Sequence, residues 1–279
     1  MNAIVFSEPG PPDVLRLSEV DEPEVAPGQV RVRVRAAGVQ PADLAVRKGW
    51  APPGTELRLP QIPGNEFAGT VDRLGKGVRA FTVDDEVIGF TTLGSYAELV
   101  TVDAAQLVAK PAGMTWETAG ALSASGQTAH TAIEDLGVGP GDTVLVHAAA
   151  GGVGSMAVQL ARHRGATVIG TGSEASHGHL RALGAVPVAY GDGLVGRVRA
   201  LAPQGVDAAL DAAGGDAVSV SVELIDDRAR IGTLVDFEAA GRHGVRALTS
   251  RGGRRPPGGG DQAHPGQGRP AGRPNGSAT

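Results

Sequence analysis

The stretch VLVHAAAGGVGSMAVQLARHRGATVIGTGSEASH, residues 144–177, joins two different apolar segments through a run of small residues. Residues 144–146 are apolar and too few for a helix, which predicts a buried strand. After the glycines, apolar residues recur at helical spacing, at Val153, Met156, Ala157, Leu160 and Ala161, which predicts an amphipathic helix. Residues 167–169 predict a second strand. The whole is a βαβ unit, and its right-handed crossover makes the two strands parallel.

The glycines lie where the predicted strand ends and the predicted helix begins. Unpaired backbone N–H groups and the positive end of the helix dipole attract an anion there. Ala148, Gly151 and Gly152 leave the backbone open to a pyrophosphate. Val153 opens the helix beside them, and Gly154 allows the helix to pack close to the sheet. These residues could instead serve only tight packing, but the complete strand, turn, helix and strand context favours a dinucleotide site.

The end of the second strand indicates which dinucleotide binds. An NAD site usually places Asp or Glu about twenty residues after the glycines, where it accepts hydrogen bonds from the ribose hydroxyls. Here Ser173 can donate to a 2′-phosphate and His177 or His179 can add a cation, whereas Glu174 favours NAD. The sequence therefore predicts NADPH. Histidines two residues apart do not share a helix face, so no metal site is expected there.

Length, charge and cysteine content limit the classes of protein that fit. The 279 residues suffice for a sizeable core and two folded domains. The absence of cysteine excludes disulfides and thiolate metal sites, and it suits a cytoplasmic protein. No secretory leader and no apolar run of membrane-spanning length is evident, so no membrane partner is expected. The net charge of −5 gives no reason to expect nucleic acid as a partner.

The last part of the chain has a different composition. Residues 251–279 contain five arginines and one aspartate, so the net charge is +4 there and −9 over residues 1–250. They contain no Val, Ile, Leu, Met, Phe, Tyr or Trp, so nothing offsets the entropy lost on ordering the backbone, and a disordered tail is expected. A nucleic-acid-binding arm is disfavoured, because the tail has one Arg-Gly-Gly triplet and no aromatic residue.

The first part of the chain predicts a β-rich domain. Up to about residue 112, alternating stretches such as VRVRVRAAG, residues 30–38, and strand-like pieces between glycine turns replace the βα pattern. We therefore expect a first domain over residues 1–115, a dinucleotide-binding domain over 116–250 and the tail over 251–279.

Five segments carry a family resemblance: AAGVQPADLAVRKG, LPQIPGNEFAGTVDRLGKGV, GSYAELVTV, KPAGMTWETAGAL and VHAAAGGVGSMAVQLAR. In this order they resemble the zinc-independent quinone oxidoreductase (zeta-crystallin-like) branch of the medium-chain dehydrogenase/reductases, and the resemblance runs from residue 1 to about 250. It implies an α/β protein with a partly open GroES-like β-barrel, a Rossmann domain with a parallel sheet, and NADPH in the cleft between them. Ligands commonly bind between domains.

Zinc independence follows from two positions. Where alcohol dehydrogenases of the same superfamily have a Cys and a His as catalytic zinc ligands, this chain has Gln40 and Asn65. Neutral amides do not replace a thiolate and an imidazole. Without zinc to polarise a carbonyl, hydride transfer to a conjugated acceptor, a quinone or enone, is favoured over alcohol oxidation, because the acceptor's π-system spreads the arriving charge.

The resemblance also implies catalytic roles in GVQPADL, residues 38–44. Gln40 would hydrogen-bond the substrate oxygen or a water, and Asp43 would hold the loop. Tyr96 in GSYAELV reads as a strand residue, so a dedicated tyrosine proton donor is not evident and water would deliver the proton.

Further cofactor contacts are implied in the second domain. Thr128 would touch the nicotinamide end, although it could be a helix-start hydroxyl. Tyr190 would pack at the adenosine phosphate, with a plain surface tyrosine as the alternative. Gly232, Val235 and Phe237 would line the nicotinamide pocket, and Phe237 could equally be core.

Other functions stay open at this stage. An enoyl reductase of fatty-acid or polyketide synthesis fits, because VHAAAGGVGSMAVQLARHRGA also resembles the reductase modules of polyketide synthases. A cofactor-binding but inactive protein is the third interpretation, since the family's chain continues past HGVRALTS with a helix and strands that return to the first domain. By resemblance a homodimer through the last Rossmann strand, residues 245–249, is expected.

Overall fold

A computed structural model describes residues 1–248 of the chain. The short hairpin β1 (Asn2–Val5) and β2 (Arg16–Glu19) comes first. A five-stranded antiparallel sheet follows, built from β3 (Gln29–Ala36), β4 (Glu66–Leu74), β5 (Glu86–Phe90), β6 (Leu99–Asp103) and β7 (Leu107–Ala109). Its spatial order is β6-β3-β4-β5-β7, and helix α1 (Pro41–Arg47) lies between β3 and β4 in the chain.

The alternating sequence of β3 explains the core of this sheet. Val30 and Val32 are fully buried beside Phe67, as the period of two along a strand requires. Arg31 is buried as well, because its guanidinium pairs with Asp72 at 2.6 Å and with Glu22 at 2.9 Å. The first part of the chain is therefore β-rich, as predicted.

The second half of the described chain is a parallel sheet between helices. Its strands are β8 (Thr143–His147), β9 (Thr167–Gly172), β10 (Val186–Ala189), β11 (Ala208–Asp211), β12 (Ile231–Thr233) and β13 (Arg246–Ala247). All are parallel, in the order β10-β9-β8-β11-β12-β13. The predicted βαβ unit is confirmed. The strand order reverses between β8 and β11, and ligands of such sheets bind outside the carboxyl ends of the strands at this point.

Helices cover both faces of the parallel sheet. One face packs on α3 (Ser123–Asp135), α4 (Gly152–His163) and α5 (His177–Ala182). The other packs on α6 (Leu194–Leu201), α7 (Ala217–Leu224) and α8 (Phe237–His243). Because both faces are buried, the strands read as continuous apolar runs.

Helix α2 (Trp116–Gly120) packs on the first sheet. Ala119 is buried there with Ala68 and Ile88, and a Cβ at Gly120 would lie 2.7 Å from the Cβ of Ala36. By its contacts α2 belongs with the first sheet, although the sequence placed it just after the predicted boundary at residue 115. The boundary itself stays a prediction.

Two predictions concern the end of the chain. The expected tail, residues 251–279, lies outside the described residues. Of the expected dimer segment, residues 245–249, the structure describes 245–248, which include the edge strand β13. Among residues 1–248, no helix combines the length and apolar character needed to cross a bilayer.

Candidate active site

The glycine turn connects β8 to α4 at the carboxyl edge of the parallel sheet. Ala148 has a left-handed backbone with φ of +52°. Its N–H donates to Thr171 Oγ1 at 3.1 Å, and the N–H of Ala149 donates to the Thr171 carbonyl at 2.9 Å. These bonds fasten the turn to β9. Helix α4 then begins at Gly152, and no side chain in the described part of the chain caps it, so its N-terminal N–H groups suit an anion.

At each glycine of this turn, a side chain would come close to neighbouring atoms of the protein. A Cβ at Gly154 would lie 2.2 Å from the Ala148 carbonyl oxygen and 2.7 Å from Ala149 Cα, so only glycine lets α4 approach the turn this closely. A Cβ at Gly152 would lie 2.8 Å from Ser125 Oγ, and one at Gly151 would lie 3.3 Å from the same Ala148 oxygen. Gly152 therefore faces α3, which the sequence did not indicate.

The residues predicted for the adenosine half follow β9 and β10. Strand β9 ends at Gly172, so no acidic side chain stands at its last position. Ser173 is exposed, and its Oγ lies 2.9 Å from Ser176 Oγ. His177 begins α5, and its Nε2 is buried without a hydrogen-bond partner among residues 1–248. Tyr190 directly follows β10 and is 65% exposed.

The residues predicted for the nicotinamide half divide into two groups. Val235 and Phe237 follow β12 and are 52% and 54% exposed, so the alternative that Phe237 belongs to the core is wrong. Gly232 lies inside β12, where a Cβ would meet Leu248 Cδ1 at 2.5 Å. Packing against Leu248 therefore explains why this position is glycine. The predicted contact between Gly232 and the cofactor stays a prediction.

Thr128 lies in the middle of α3. Its Oγ1 donates to the Ala124 carbonyl, four residues earlier, at 2.7 Å. The alternative of a helix-start hydroxyl is therefore wrong, because α3 begins at Ser123. The oxygen keeps its acceptor capacity, and its contact with the nicotinamide stays a prediction.

The loop that begins α1 is held by Asp43. The Asp43 carboxylate accepts the Gln40 backbone N–H at 2.8 Å and the Tyr96 Oη–H at 3.0 Å. Burial raises the pKa of Asp43, and these hydrogen bonds oppose that rise. Burial, together with the neighbouring Asp43 carboxylate, also raises the pKa of Tyr96. Tyr96 precedes β6 and is not a strand residue, which corrects the sequence interpretation.

Gln40 joins the first sheet to α3. Its Nε2 donates to Glu66 Oε1, and its Oε1 lies 3.4 Å from Ser125 Oγ. Glu66 is fully buried, and its other oxygen accepts the Ala124 N–H at 2.8 Å. One Nε2 hydrogen of Gln40 is thus committed to Glu66, which leaves the second for a substrate oxygen or water.

Glu66 is a residue that sequence reasoning missed. It stands beside Asn65 in PGNEFAGTV, where a single carboxylate precedes an apolar strand, and that isolation is the signal that could have found it. A Cβ at Gly38 would lie 2.2 Å from Glu66 Oε1, so Gly38 makes room for this carboxylate.

Ser125 brings the two halves of the site together. It contacts Gln40 on one side, and on the other it faces the hydrogen atoms of Gly152.

Among residues 1–248, no group of three or more His, Cys, Asp and Glu side chains is arranged to hold a metal ion.

Two family models match the chain. The alcohol dehydrogenase GroES-like domain matches residues 26–112, and the zinc-binding dehydrogenase model matches residues 152–235. Among solved structures, the quinone oxidoreductase from Coxiella burnetii is 32% identical with a TM-score of 0.74, over 87% of this chain and 78% of that one. The Escherichia coli quinone oxidoreductase complexed with NADPH is 29% identical with a TM-score of 0.76, over 84% and 72%.

Curated relatives extend the comparison. The synaptic vesicle membrane protein VAT-1 homolog of Rattus norvegicus is 38% identical over 218 residues, which are 76% of this chain and 53% of that protein. Erythronolide synthase EryA2 of Saccharopolyspora erythraea is 37% identical over 213 residues, 74% of this chain and 6% of the synthase. The chain spans about half the length of the VAT-1 homologues it matches.

An antiparallel GroES-like domain joined through Gln40 and Ser125 to a Rossmann-type parallel sheet defines a medium-chain dehydrogenase/reductase. The predicted fold class is confirmed. Within this superfamily the chain belongs to the quinone oxidoreductase (zeta-crystallin-like) branch. This is a family of oxidoreductases, and the family's cofactor is a nicotinamide dinucleotide.

Proposed function

We propose that this protein is an NADPH-dependent reductase that delivers hydride to a quinone or another α,β-unsaturated carbonyl compound without zinc. The observation that carries the proposal is the open N-terminus of α4, next to which Ser125 contacts Gln40. A dinucleotide and an acceptor oxygen thereby have binding groups at one place, where α3 joins the first sheet to the helix that follows the glycine turn.

The glycine turn fits a pyrophosphate. The N-terminus of the 12-residue helix α4 carries no side-chain cap in the described chain. A Cβ at Gly151 would crowd the Ala148 carbonyl oxygen, and one at Gly152 would collide with Ser125 Oγ, so the turn keeps its shape only with glycine at these positions. The turn lies next to the switch point between β8 and β11, where such sheets bind ligands. The bound dinucleotide would supply the hydride, and this chain would supply binding, orientation and hydrogen bonds.

The choice of NADPH over NADH depends on the end of β9. The last residue of β9 is Gly172, so no carboxylate stands at that position, and the nearest one is Glu174, two residues later. The exposed Ser173 hydroxyl lies 2.9 Å from the half-buried Ser176 hydroxyl. One of the two hydroxyls donates to the other, and the remaining hydroxyl hydrogen would be donated to a phosphate oxygen, with the His177 ring at the start of the next helix. The Escherichia coli relative, which is complexed with NADPH, supports the same choice.

The acceptor class follows from the polar groups near Gln40. The free Nε2 hydrogen of Gln40 is a neutral donor, which suits an acceptor that spreads negative charge over a π-system. Asp43 holds the loop at the start of α1, where its Oδ2 accepts both the Gln40 N–H and the Tyr96 hydroxyl, and this proposal gives it no role in proton transfer. Water therefore remains the proton source in this proposal.

An enoyl reductase acting on thioesters is the second candidate. Its support is the similarity to polyketide synthases such as erythronolide synthase EryA2 and to the CurK enoyl reductase. A dinucleotide-binding chain without turnover is the third candidate, since the open N-terminus of α4 would bind a dinucleotide in that case as well. We also retain a homodimer through the edge strand β13 as a proposal.

The purified full chain separates these candidates. Consumption of NADPH is measured with 1,4-benzoquinone and, separately, with crotonyl thioester, and affinities for NADPH and NADH are measured by fluorescence titration. We expect turnover with the quinone and NADPH binding at least about tenfold tighter, equivalent to about 1.4 kcal/mol. Turnover with the thioester alone would select the enoyl reductase, and binding without any turnover would select the inactive protein.

A pair of serine variants tests the cofactor choice. Ser173→Ala should remove most of the preference for NADPH, because it deletes one donor to the 2′-phosphate. Ser219→Ala, at an exposed position on α7, is the matched control and should leave the preference unchanged. Equal affinities in the wild type, or an unaltered preference in Ser173→Ala, would contradict the assignment.

A further inference from the structure

Three polar residues form a buried row at the carboxyl ends of neighbouring strands. His147 pairs in register with Asp211, and Asp211 pairs with Thr233, as the last residues of β8, β11 and β12. All three are at most 2% exposed. Two residues earlier on the same strands, the positions are apolar core, at Leu145, Ala209 and Ile231. A polar row at this depth requires hydrogen-bond partners.

Asp211 uses its carboxylate to bind the loop that follows its own strand. Its Oδ1 accepts the N–H groups of Ala213 at 2.7 Å and Gly214 at 2.8 Å. Its Oδ2 accepts the Thr233 hydroxyl at 2.7 Å. Within residues 1–248 no ion pair reaches this buried carboxylate, and these neutral donors are its hydrogen-bond partners.

Thr233 binds the neighbouring loop in the same manner. While its hydroxyl proton goes to Asp211, its Oγ1 accepts the N–H groups of Val235 at 3.1 Å and Asp236 at 2.9 Å. The Asp236 side chain then accepts the Ala239 N–H at 2.8 Å and starts α8. One hydroxyl thus binds the N–H groups of Val235 and Asp236, while the Leu234 N–H donates to the Asp211 carbonyl at 2.9 Å. These bonds hold the exposed Val235, and the exposed Phe237 follows as the first residue of α8.

The two loops also touch each other. Gly214 has a φ of +76°, and a Cβ there would lie 3.5 Å from Val235 Cγ2. Loop 212–216 and loop 234–236 thus form one surface, held by the Asp211–Thr233 pair from beneath. This surface lies on the β11 and β12 side of the switch point, opposite the β9 side where Ser173 would bind the adenosine ribose.

We infer that Asp211 and Thr233 are positioning residues that hold loops 212–216 and 234–236 in the shape that receives the nicotinamide half of the dinucleotide. The inference deepens the proposed function and rests on it. Neither residue reaches the surface, so each acts only through the loop backbones. Loss of the pair should weaken contacts to the nicotinamide half and spare those to the adenosine half.

The test compares NADPH with 2′,5′-ADP, which carries the 2′-phosphate and lacks the nicotinamide half. Binding of both is measured by calorimetry on the full chain and on Thr233→Val, which keeps the side-chain shape and removes the hydroxyl. We expect the Kd for NADPH to rise about tenfold or more and the Kd for 2′,5′-ADP to change less than about twofold. Thr233→Ser, which restores the hydroxyl, should bind both as the wild type does.

A matched control and a second measurement complete the design. Thr143→Val makes the same exchange at the first residue of β8, at the opposite edge of the sheet, and should leave both affinities unchanged. In the wild type without cofactor, the amide hydrogens of Ala213, Gly214, Val235 and Asp236 should exchange slowly, because all four are bonded to the pair.

The outcomes are distinguishable. Equal losses for both ligands in Thr233→Val, unaltered binding of both, or fast exchange of the four amides in the wild type would overturn the positioning role alone. A wild-type chain that binds neither NADPH nor 2′,5′-ADP would overturn the proposed function, and the positioning role with it.

Discussion

Replacement of His147 by glutamine should change how the stability of this protein depends on pH. His147 is 2% exposed, and its Nε2 lies 3.0 Å from Ser221 Oγ. The Ser221 hydroxyl donates to the Ala217 carbonyl at 2.8 Å, so it accepts from an Nε2–H of His147, which stays neutral in this arrangement. Burial lowers the pKa of His147 from 6.5 to about 4, although Asp211 and Asp216 favour the charged form.

The magnitude follows from the two pKa values. Between pH 6.5 and about 4 the unfolded chain binds a proton at His147 and the folded chain does not, so stability is lost as the pH falls through this window. Above pH 6.5 both states are neutral and the histidine contributes no pH dependence. From pH 7 to pH 5 the loss amounts to about 2 kcal/mol.

Urea unfolding of the wild type and His147→Gln at pH 7 and pH 5 measures this loss. The difference in unfolding free energy between the two proteins should shift by about 2 kcal/mol in favour of His147→Gln at pH 5. His163→Gln replaces an exposed histidine at the end of α4 and is the control, which should follow the wild type. If His147→Gln loses stability on acidification as steeply as the wild type, the inference that the folded chain holds His147 in its neutral form is wrong.

Three further predictions test the glycine turn, the loop at the start of α1 and zinc independence. Gly154→Ala should lower the unfolding free energy by about 1–3 kcal/mol and weaken dinucleotide binding, because the methyl group collides with the Ala148 carbonyl. Gly196→Ala, in open space on α6, should instead stabilise by about 0.5–1 kcal/mol, and equal effects in urea unfolding would refute the steric argument. Tyr96→Phe should cost about 1–2 kcal/mol, since it leaves the buried Asp43 carboxylate one donor short, and an unchanged unfolding midpoint would contradict this. Chelator treatment should leave quinone reduction unchanged and metal analysis should find no stoichiometric zinc, whereas activity that falls with chelator and returns with zinc would overturn zinc independence.

Local features of the structure were predictable from the sequence. The change from a short apolar run to helical spacing around Gly151 and Gly152 predicted β8 and α4, because strand and helix periodicity are properties of neighbouring residues. The alternation in β3 predicted a strand with one buried face for the same reason. The motifs in the two halves predicted the fold class that the structure and the comparisons confirm.

The contacts within the candidate site were decided by tertiary structure. Glu66 meets Gln40 and the start of α3 across separations of 26 and 58 residues, and no local pattern specifies such a pairing. The sequence interpretation also placed Tyr96 in a strand, whereas in the structure Tyr96 precedes β6 and its hydroxyl bonds to Asp43. These two residues are 53 positions apart, so no local pattern indicates the contact.

Strand order is the clearest example of what the sequence alone leaves undetermined. His147, Asp211 and Thr233 each end an apolar strand, and each in isolation resembles an ordinary polar residue at the start of a loop. Only the order β8-β11-β12, in register, places them side by side and buries them. The sequence determined the strands and the glycine turn because these depend on local spacing. The tertiary structure decided which strand ends became neighbours, because that depends on packing between distant segments of the chain.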